Sequence, residues 1–205
     1  MKPITVTKTV FTLDELSDTA RQYALEKMSA WMHECWLESD QIAECLNGEL
    51  FAMLTGNGVG EISNKELKKH TGLEIEWSLN YCQGDGVAIY GTLNSDDAPK
   101  LEWGNGTTAL LTRNSLSNHY SHAYTMNIAV FRYDEDGYEI DSDCPENEQF
   151  ADQIRDICRQ LEQIGYDQIK YITGEENIIN YLDGDYPRRF TEDGDTATIE
   201  FWSDK

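Results

Sequence analysis

Residues Leu73 to Gly91 constrain the fold more than any other stretch, because their apolar and polar positions alternate and then reverse direction across a glycine pair. Leu73, Ile75, Trp77 and Leu79 interleave with Glu74, Glu76, Ser78 and Asn80. A period of two puts one set on a buried face and the other in solvent, the signature of a strand covered on one side. Val87 to Tyr90 is the returning strand. Between them, Gln83-Gly84-Asp85-Gly86 supplies two residues that tolerate positive φ and a carboxylate able to bond to its own backbone. The unit is a hairpin with a compact loop.

The flanking segments change to the helical period. Thr12 and Glu15 have capping-box spacing, and Ser17 can cap the helix behind it, whose apolar positions are Ala24, Met28, Trp31 and Cys35 with Tyr23 beside them. Trp31 and Trp77 fit this core periodicity and are assigned inward. Asp40 to Leu54 is a second helix, with Ile42, Ala43, Leu46, Leu50 and Met53 on its apolar side, ended by the glycines of Gly56 to Gly60. Ser63 and Glu66 form another capping box, and Gly72 is a C-terminal stop. Thr107 to Leu116 reads as a short helix, and Ser121 to Tyr133 as a strand whose Tyr124, Met126, Ile128 and Val130 face the core. Phe150, Ile154, Ile157, Leu161 and Ile164 trace the clearest helical stripe, with Asp143 and Pro145 at its start and Gly165 as its expected stop. Asp167 to Ile172 fits strand or helix. Glu175 to Leu182 is helical, and a last hairpin turns at Glu192 to Asp195. These elements predict an α+β fold over residues 1–205 as one domain, a small, mostly antiparallel sheet packed with several amphipathic helices.

Charge then limits the partners. The chain of 205 residues carries 38 Asp plus Glu against 16 Lys plus Arg, a net of −22. From Asp134 onward the count is 21 acidic against six basic residues, a net of −15, so the C-terminal third holds most of the excess. Such a surface repels phosphates, and Lys65, Lys68 and Lys69 are too few to reverse it; direct nucleic-acid binding is disfavoured, whereas a basic protein partner is favoured. Five cysteines without CxxC spacing predict a reducing cytoplasmic setting. No apolar run has the roughly 20 residues that cross a bilayer.

Phe11-Thr12-Leu13-Asp14-Glu15-Leu16-Ser17-Asp18-Thr19-Ala20 at the front, Trp77-Ser78-Leu79-Asn80-Tyr81-Cys82-Gln83-Gly84-Asp85-Gly86 in the middle and Phe190-Thr191-Glu192-Asp193-Gly194 near the end resemble a group of phage and prophage proteins, some loosely labelled as antitoxin-like. Here Cys82 stands where that group has a small polar residue before its Gln-Gly-Asp-Gly. The resemblance implies phage origin and small α+β architecture, and carries no catalytic residue.

Catalytic chemistry has few supports in the pattern. Cys82 with Asp85 and either His119 or His122 could make a nucleophile and base, but no activating motif accompanies them. The histidine pair lacks the ligands of a zinc site, Asp85 lacks the further oxygens of a calcium loop, and Gly56 to Gly60 lacks the ending of a phosphate-binding loop. We therefore expect no enzyme, metal or cofactor. The expected function is an acidic phage or prophage accessory protein that inhibits a basic host protein, a nucleic-acid enzyme or defence complex, by imitating DNA phosphates; an antitoxin neutralising a cognate toxin is the alternative, and a small hydrolase the third reading. The candidate contact residues are Asp134, Glu135, Asp136, Asp141, Asp143, Asp152 and Asp156, with Gln83 and Asp85 in the hairpin loop and Trp36 and Trp103 as apolar anchors.

Overall fold

The alternation at residues 73–79 is realised as strand β1 (Leu73–Ser78) paired antiparallel to β2 (Gly86–Asn94), with Ile75 opposite Ile89 and Trp77 opposite Val87. The computed structural model describes residues 9–37, 40–58, 60–101, 106–114, 120–133, 136, 139–140, 145–184 and 188–197. It divides into two compact units, residues 36–168 and residues 1–35 with 169–205.

In the larger unit the described strands form one antiparallel sheet in the order β1-β2-β3-β4-β5, completed by β3 (Thr107–Arg113), β4 (Met126–Tyr133) and β5 (Glu139–Ile140). Leu73, Val87, Ile89, Ala109, Leu111, Met126 and Val130 are buried on one face of it. The opposite face keeps Glu74, Thr92, Leu110, Thr112 and Asn127 exposed, the usual outcome when only one side of an antiparallel sheet is covered. Helix α4 (Pro145–Ile172) covers the apolar face with Phe150, Ile154, Ile157, Cys158 and Leu161, and the Cys158 sulfur lies 4.0 Å from that of Met126 on β4. Pro145 opens α4 where its missing N–H leaves no bond unmade. Burial pushes the Cys158 thiol up to about 12, so it is inert packing.

Helices α2 (Asp40–Thr55) and α3 (Asn64–Thr71) pack beside β1, with Ile42, Leu46, Leu50, Leu54 and Leu67 fully enclosed. The Ser63 box forms as the spacing requires: the Glu66 carboxylate accepts from Ser63 N–H at 3.1 Å and from its hydroxyl at 2.8 Å. Gly72, at φ +73°, ends α3 by donating its N–H to the Lys68 carbonyl.

Three expectations in this unit are corrected. The strand expected from Ser121 begins only at Met126, because His122 caps a 3-10 turn over Ala123–Thr125 and accepts from Tyr124 N–H, which leaves Tyr124 exposed and not on the core face. Thr107 to Leu116 is not helical; residues 107–113 form β3, with Thr107, Ala109 and Leu111 turned inward. Ala-Leu-Leu suits a helix in isolation, but pairing with β2 on one side and β4 on the other outweighs that local preference. Nor does Gly165 stop α4, which continues seven residues further to Ile172. A Cβ at Gly165 would sit 2.4 Å from Leu79 Cδ1 and 3.7 Å from Leu46 Cδ2, so the glycine is there for close approach to the hairpin base and α2. Gly165→Ala gains about 1 kcal/mol of helix propensity but overpacks an enclosed Leu79. The expected net is a loss of about 1 kcal/mol in urea unfolding, smaller when Leu79→Val is added.

In the smaller unit, Thr12 and Glu15 bracket a 3-10 turn, the Glu15 carboxylate accepting from Thr12 N–H at 2.8 Å. Ser17 Oγ accepts from Ala20 N–H and opens α1 (Asp18–Leu37). The buried stripe of α1 is Ala20, Ala24, Leu25, Met28 and Met32, which meets Ile169, Ile172, Phe190 and α5 (Glu175–Leu182) with its Ile178 and Leu182 in this unit's core. Trp31, expected inside, is 44% exposed and rests on Tyr181 with ring centroids 5.9 Å apart; Cys35 and Tyr23 are exposed too. The helical period allowed two neighbouring stripes, and the small residues at 20 and 24 decided for the one that packs closer. Phe11 bridges Phe190, which also bridges Thr196, so the last expected hairpin is present where described. No described helix is long and apolar enough to cross a membrane.

Candidate functional site

The loop joining β1 and β2 is built around Asp85. Its Oδ2 accepts from the N–H groups of Asn80 and Cys82, each at 2.7 Å, and from the Tyr166 hydroxyl of α4 at 3.3 Å; its Oδ1 accepts from Ser78 Oγ at 2.7 Å. Partial burial pushes the Asp85 carboxyl up, but the Cys82, Ser78, Asn80 and Tyr166 donors together outweigh it and hold it below the ordinary carboxylate value. Burial, then the Asp85 charge, pushes the Tyr166 phenol up to about 12, so this hydroxyl stays a donor.

The same two backbone bonds determine what the loop presents. They grip the N–H groups on either side of Tyr81, which is held at φ +57°, a left-handed conformation costing a non-glycine residue about 1–2 kcal/mol. The turn carries the Tyr81 ring onto Tyr166, centroids 4.8 Å apart, yet leaves Tyr81 65% exposed. Gly84, at φ +93°, lacks the Cβ that would lie 2.2 Å from Tyr120 Cδ1, so the Tyr120 ring settles on the loop backbone. Tyr120 is 50% and Tyr124 68% exposed. Strain here is held by over-determined hydrogen bonds, and the aromatic rings are left in solvent.

A groove of about 420 Å³ opens beside this loop, lined by Gly84, Asp85, His122, Tyr124, Arg159, Glu162 and Tyr166 among others. His122 Nδ1 accepts from Tyr124 N–H at 3.1 Å, so the neutral ring carries its proton on Nε2. Arg159 bonds Asp156 and lies 5.8 Å from the Tyr124 ring centroid. Glu162 differs from its neighbours: burial pushes its carboxyl up, against the pull of His122, and no described residue donates it a hydrogen bond or lies in an ion pair with it. A half-buried carboxylate without a donor is unfavourable until a cation or donor arrives.

Of the residues expected from sequence, Gln83 and Asp85 come together in this loop; Gln83 is exposed and Asp85 is committed to holding it. Asp152 and Asp156 are exposed on α4, but each is paired with an arginine one turn on, Arg155 and Arg159, at 2.9 and 3.0 Å. Asp136 is exposed in the turn between β4 and β5. Asp134, Glu135, Asp141, Asp143 and Trp103 lie outside the described residues, as do His119 and the side chain of Trp36 in the last turn of α1. For the catalytic reading, the Cys82 thiol donates to the Asn80 carbonyl at 3.5 Å, and no hydrogen bond joins it to His122 among the described residues. Sequence reasoning missed Tyr81, Tyr120, Tyr124, Glu162 and Tyr166. The available signal was the spacing of Arg159, Glu162 and Tyr166, one α4 face flanking its apolar stripe.

Comparison of the chain with protein-family models, curated proteins and solved structures returns no significant match.

Proposed function

We propose that this chain is an acidic accessory protein of phage or prophage origin that binds a basic host protein and occludes it. A Lys or Arg side chain of that partner enters the groove between the hairpin loop and α4 and pairs with Glu162. The observation that carries this reading is the Glu162 carboxylate, half-buried, without a donor among the described residues, and walled by aromatic rings. Those rings offer faces to a cation, worth about 0.5–2 kcal/mol where water is excluded. The net charge of −22 steers a basic partner toward the groove, and the exposed tyrosines supply rigid contact area at low entropy cost. The same charge disfavours nucleic acid as the direct ligand.

Glu162 separates binding from folding. Its folded-state carboxyl holds a proton more tightly than the unfolded one, so the charged form opposes folding at neutral pH and this penalty is relieved as pH falls through the raised value. Glu162→Gln is therefore expected to fold at least as well as the parent in urea titrations at pH 7. With the partner isolated by affinity capture, the same variant is expected to raise Kd about tenfold or more, as is Tyr124→Ala, and the parent's affinity is expected to fall with added salt. A Kd indifferent to both substitutions and to ionic strength would sink the proposal.

A further inference from the structure

Among the described residues, the outer edge of β4 is unpaired for most of its length. Its pairing with β5 covers only Arg132 and Tyr133, opposite Ile140 and Glu139, whereas pairing with β3 extends from Met126 to Arg132. Two bonds at the ends of the β3–β4 ladder fix which residues turn which way: Tyr133 N–H donates to the Gly106 carbonyl, and the Thr125 carbonyl accepts from Asn114 N–H. Odd-numbered residues of β4 thus bond toward β3. By the alternation of an antiparallel ladder, Ile128 and Val130 turn both N–H and C=O outward, and no described residue meets them.

This edge borders a groove of about 580 Å³ lined by Ile128, Val130 and Phe131 on the strand and by Glu148, Asp152 and Arg155 on α4. Arg155 is held by Asp152, which leaves Glu148 without an ion pair among the described residues. The Glu162 groove continues the same path: it is lined by His122 to Tyr124, just before β4 begins, and by the next turns of α4.

We infer that an extended, cationic segment of the partner protein adds to the sheet as a strand beside β4, pairing its backbone with Ile128 and Val130. Strand addition supplies the unmade main-chain bonds, alternate side chains of the segment enter the groove or face solvent, and the carboxylate rim selects Lys or Arg over Asp or Glu. A second copy of this chain is the poorer occupant, because two molecules of net −22 would bring the same acidic rims together. The inference deepens the proposed function by specifying the form of the partner, and rests on that reading for the partner's charge alone.

The test uses the full chain, 15N-labelled, and four synthetic peptides: Lys-Val-Lys-Val-Lys-Val-Lys, its two forms N-methylated at alternate residues in one register or the other, and Glu-Val-Glu-Val-Glu-Val-Glu. The lysine peptide is expected to slow amide exchange at Ile128 and Val130 at least tenfold, the N-methylated forms to bind at least tenfold more weakly in one register, and the glutamate peptide not to bind. Equal affinity for the N-methylated forms would overturn the inference, since side-chain charge alone would then explain binding. Concentration-dependent protection of Ile128 and Val130 without peptide would also overturn it, in favour of self-pairing. Protection confined to residues 122–124 and 159–166, lost in Glu162→Gln, would refute the strand at β4 while leaving the Glu162 reading standing. Strand protection unaffected by Glu162→Gln would support the edge and count against Glu162.

Discussion

Gly91→Ala is expected to cost the larger unit about 3 kcal/mol or more, enough to lower the thermal midpoint by roughly ten degrees or unfold the chain at 37 °C. Gly91 lies inside β2 at φ +129°, where L-residues are strained, and its added Cβ would sit 2.2 Å from the Gly72 carbonyl oxygen and 3.1 Å from Leu73 Cα. Both neighbours are backbone, so no rotamer change relieves the overlap. The Gly72 carbonyl also accepts from Thr92 N–H, and moving it away would open the join between α3 and β1 on one side of β2 while Leu111 of β3 restrains the other. Strain of about 1–3 kcal/mol at the dihedral therefore adds to the loss of packing around Leu73. Gly58 is the control: nothing lies within 4 Å of its built Cβ and its φ is not positive, so Gly58→Ala should be neutral or slightly stabilising. Urea unfolding of both variants, read by circular dichroism, measures the difference. An equal, small effect at the two positions would show that β2 can shift where the packing indicates it cannot.

The second large effect is expected at Asp85. Asp85→Asn keeps the shape but offers one accepting oxygen in place of two, so at least one of the Asn80, Cys82 and Ser78 donors loses its partner; the expected cost is about 2 kcal/mol. The pH dependence follows from the lowered folded-state pKa. Stability from the ionised carboxylate is complete above the unfolded value of about 3.9 and disappears as pH falls through the folded value, so the gap between parent and variant should be flat from pH 5 to 8 and close below about pH 4. Binding should weaken as well, although Asp85 touches no partner in this reading, because Tyr81 loses the two bonds that hold its left-handed turn. A gap undiminished at pH 3 would assign the effect to loop shape and not to charge.

These two positions show how unevenly the molecule could be read from its residues. The hairpin, the cap at Ser63, the stop at Gly72 and helices α2 and α5 were legible because each rests on neighbours within a few residues. Gly91 gave no local signal; its need for a missing side chain comes from Gly72, 19 positions away, through strand pairing. In the loop sequence Gln83 to Gly86 the turn was legible, but local spacing could not tell an Asp85 offered to a partner from an Asp85 consumed by its own backbone. The pairing of Asp152 with Arg155 and of Asp156 with Arg159 was, by contrast, legible, because the partners lie three residues apart on one helix.

The sequence by itself determined the α+β class, the one-sided antiparallel hairpin and the acidic balance, because periodicity, glycine placement and net charge are properties of the chain that hold in any arrangement. Tertiary structure alone decided that residues 107–113 are a strand, that α4 runs through Gly165, that Trp31 faces solvent and that Glu162 lies half-buried beside Tyr124 and Tyr166 with no donor among the described residues. Each of those depends on which distant segment arrives as a neighbour. Burial, pairing and desolvation are set by that arrival, and local pattern does not encode it.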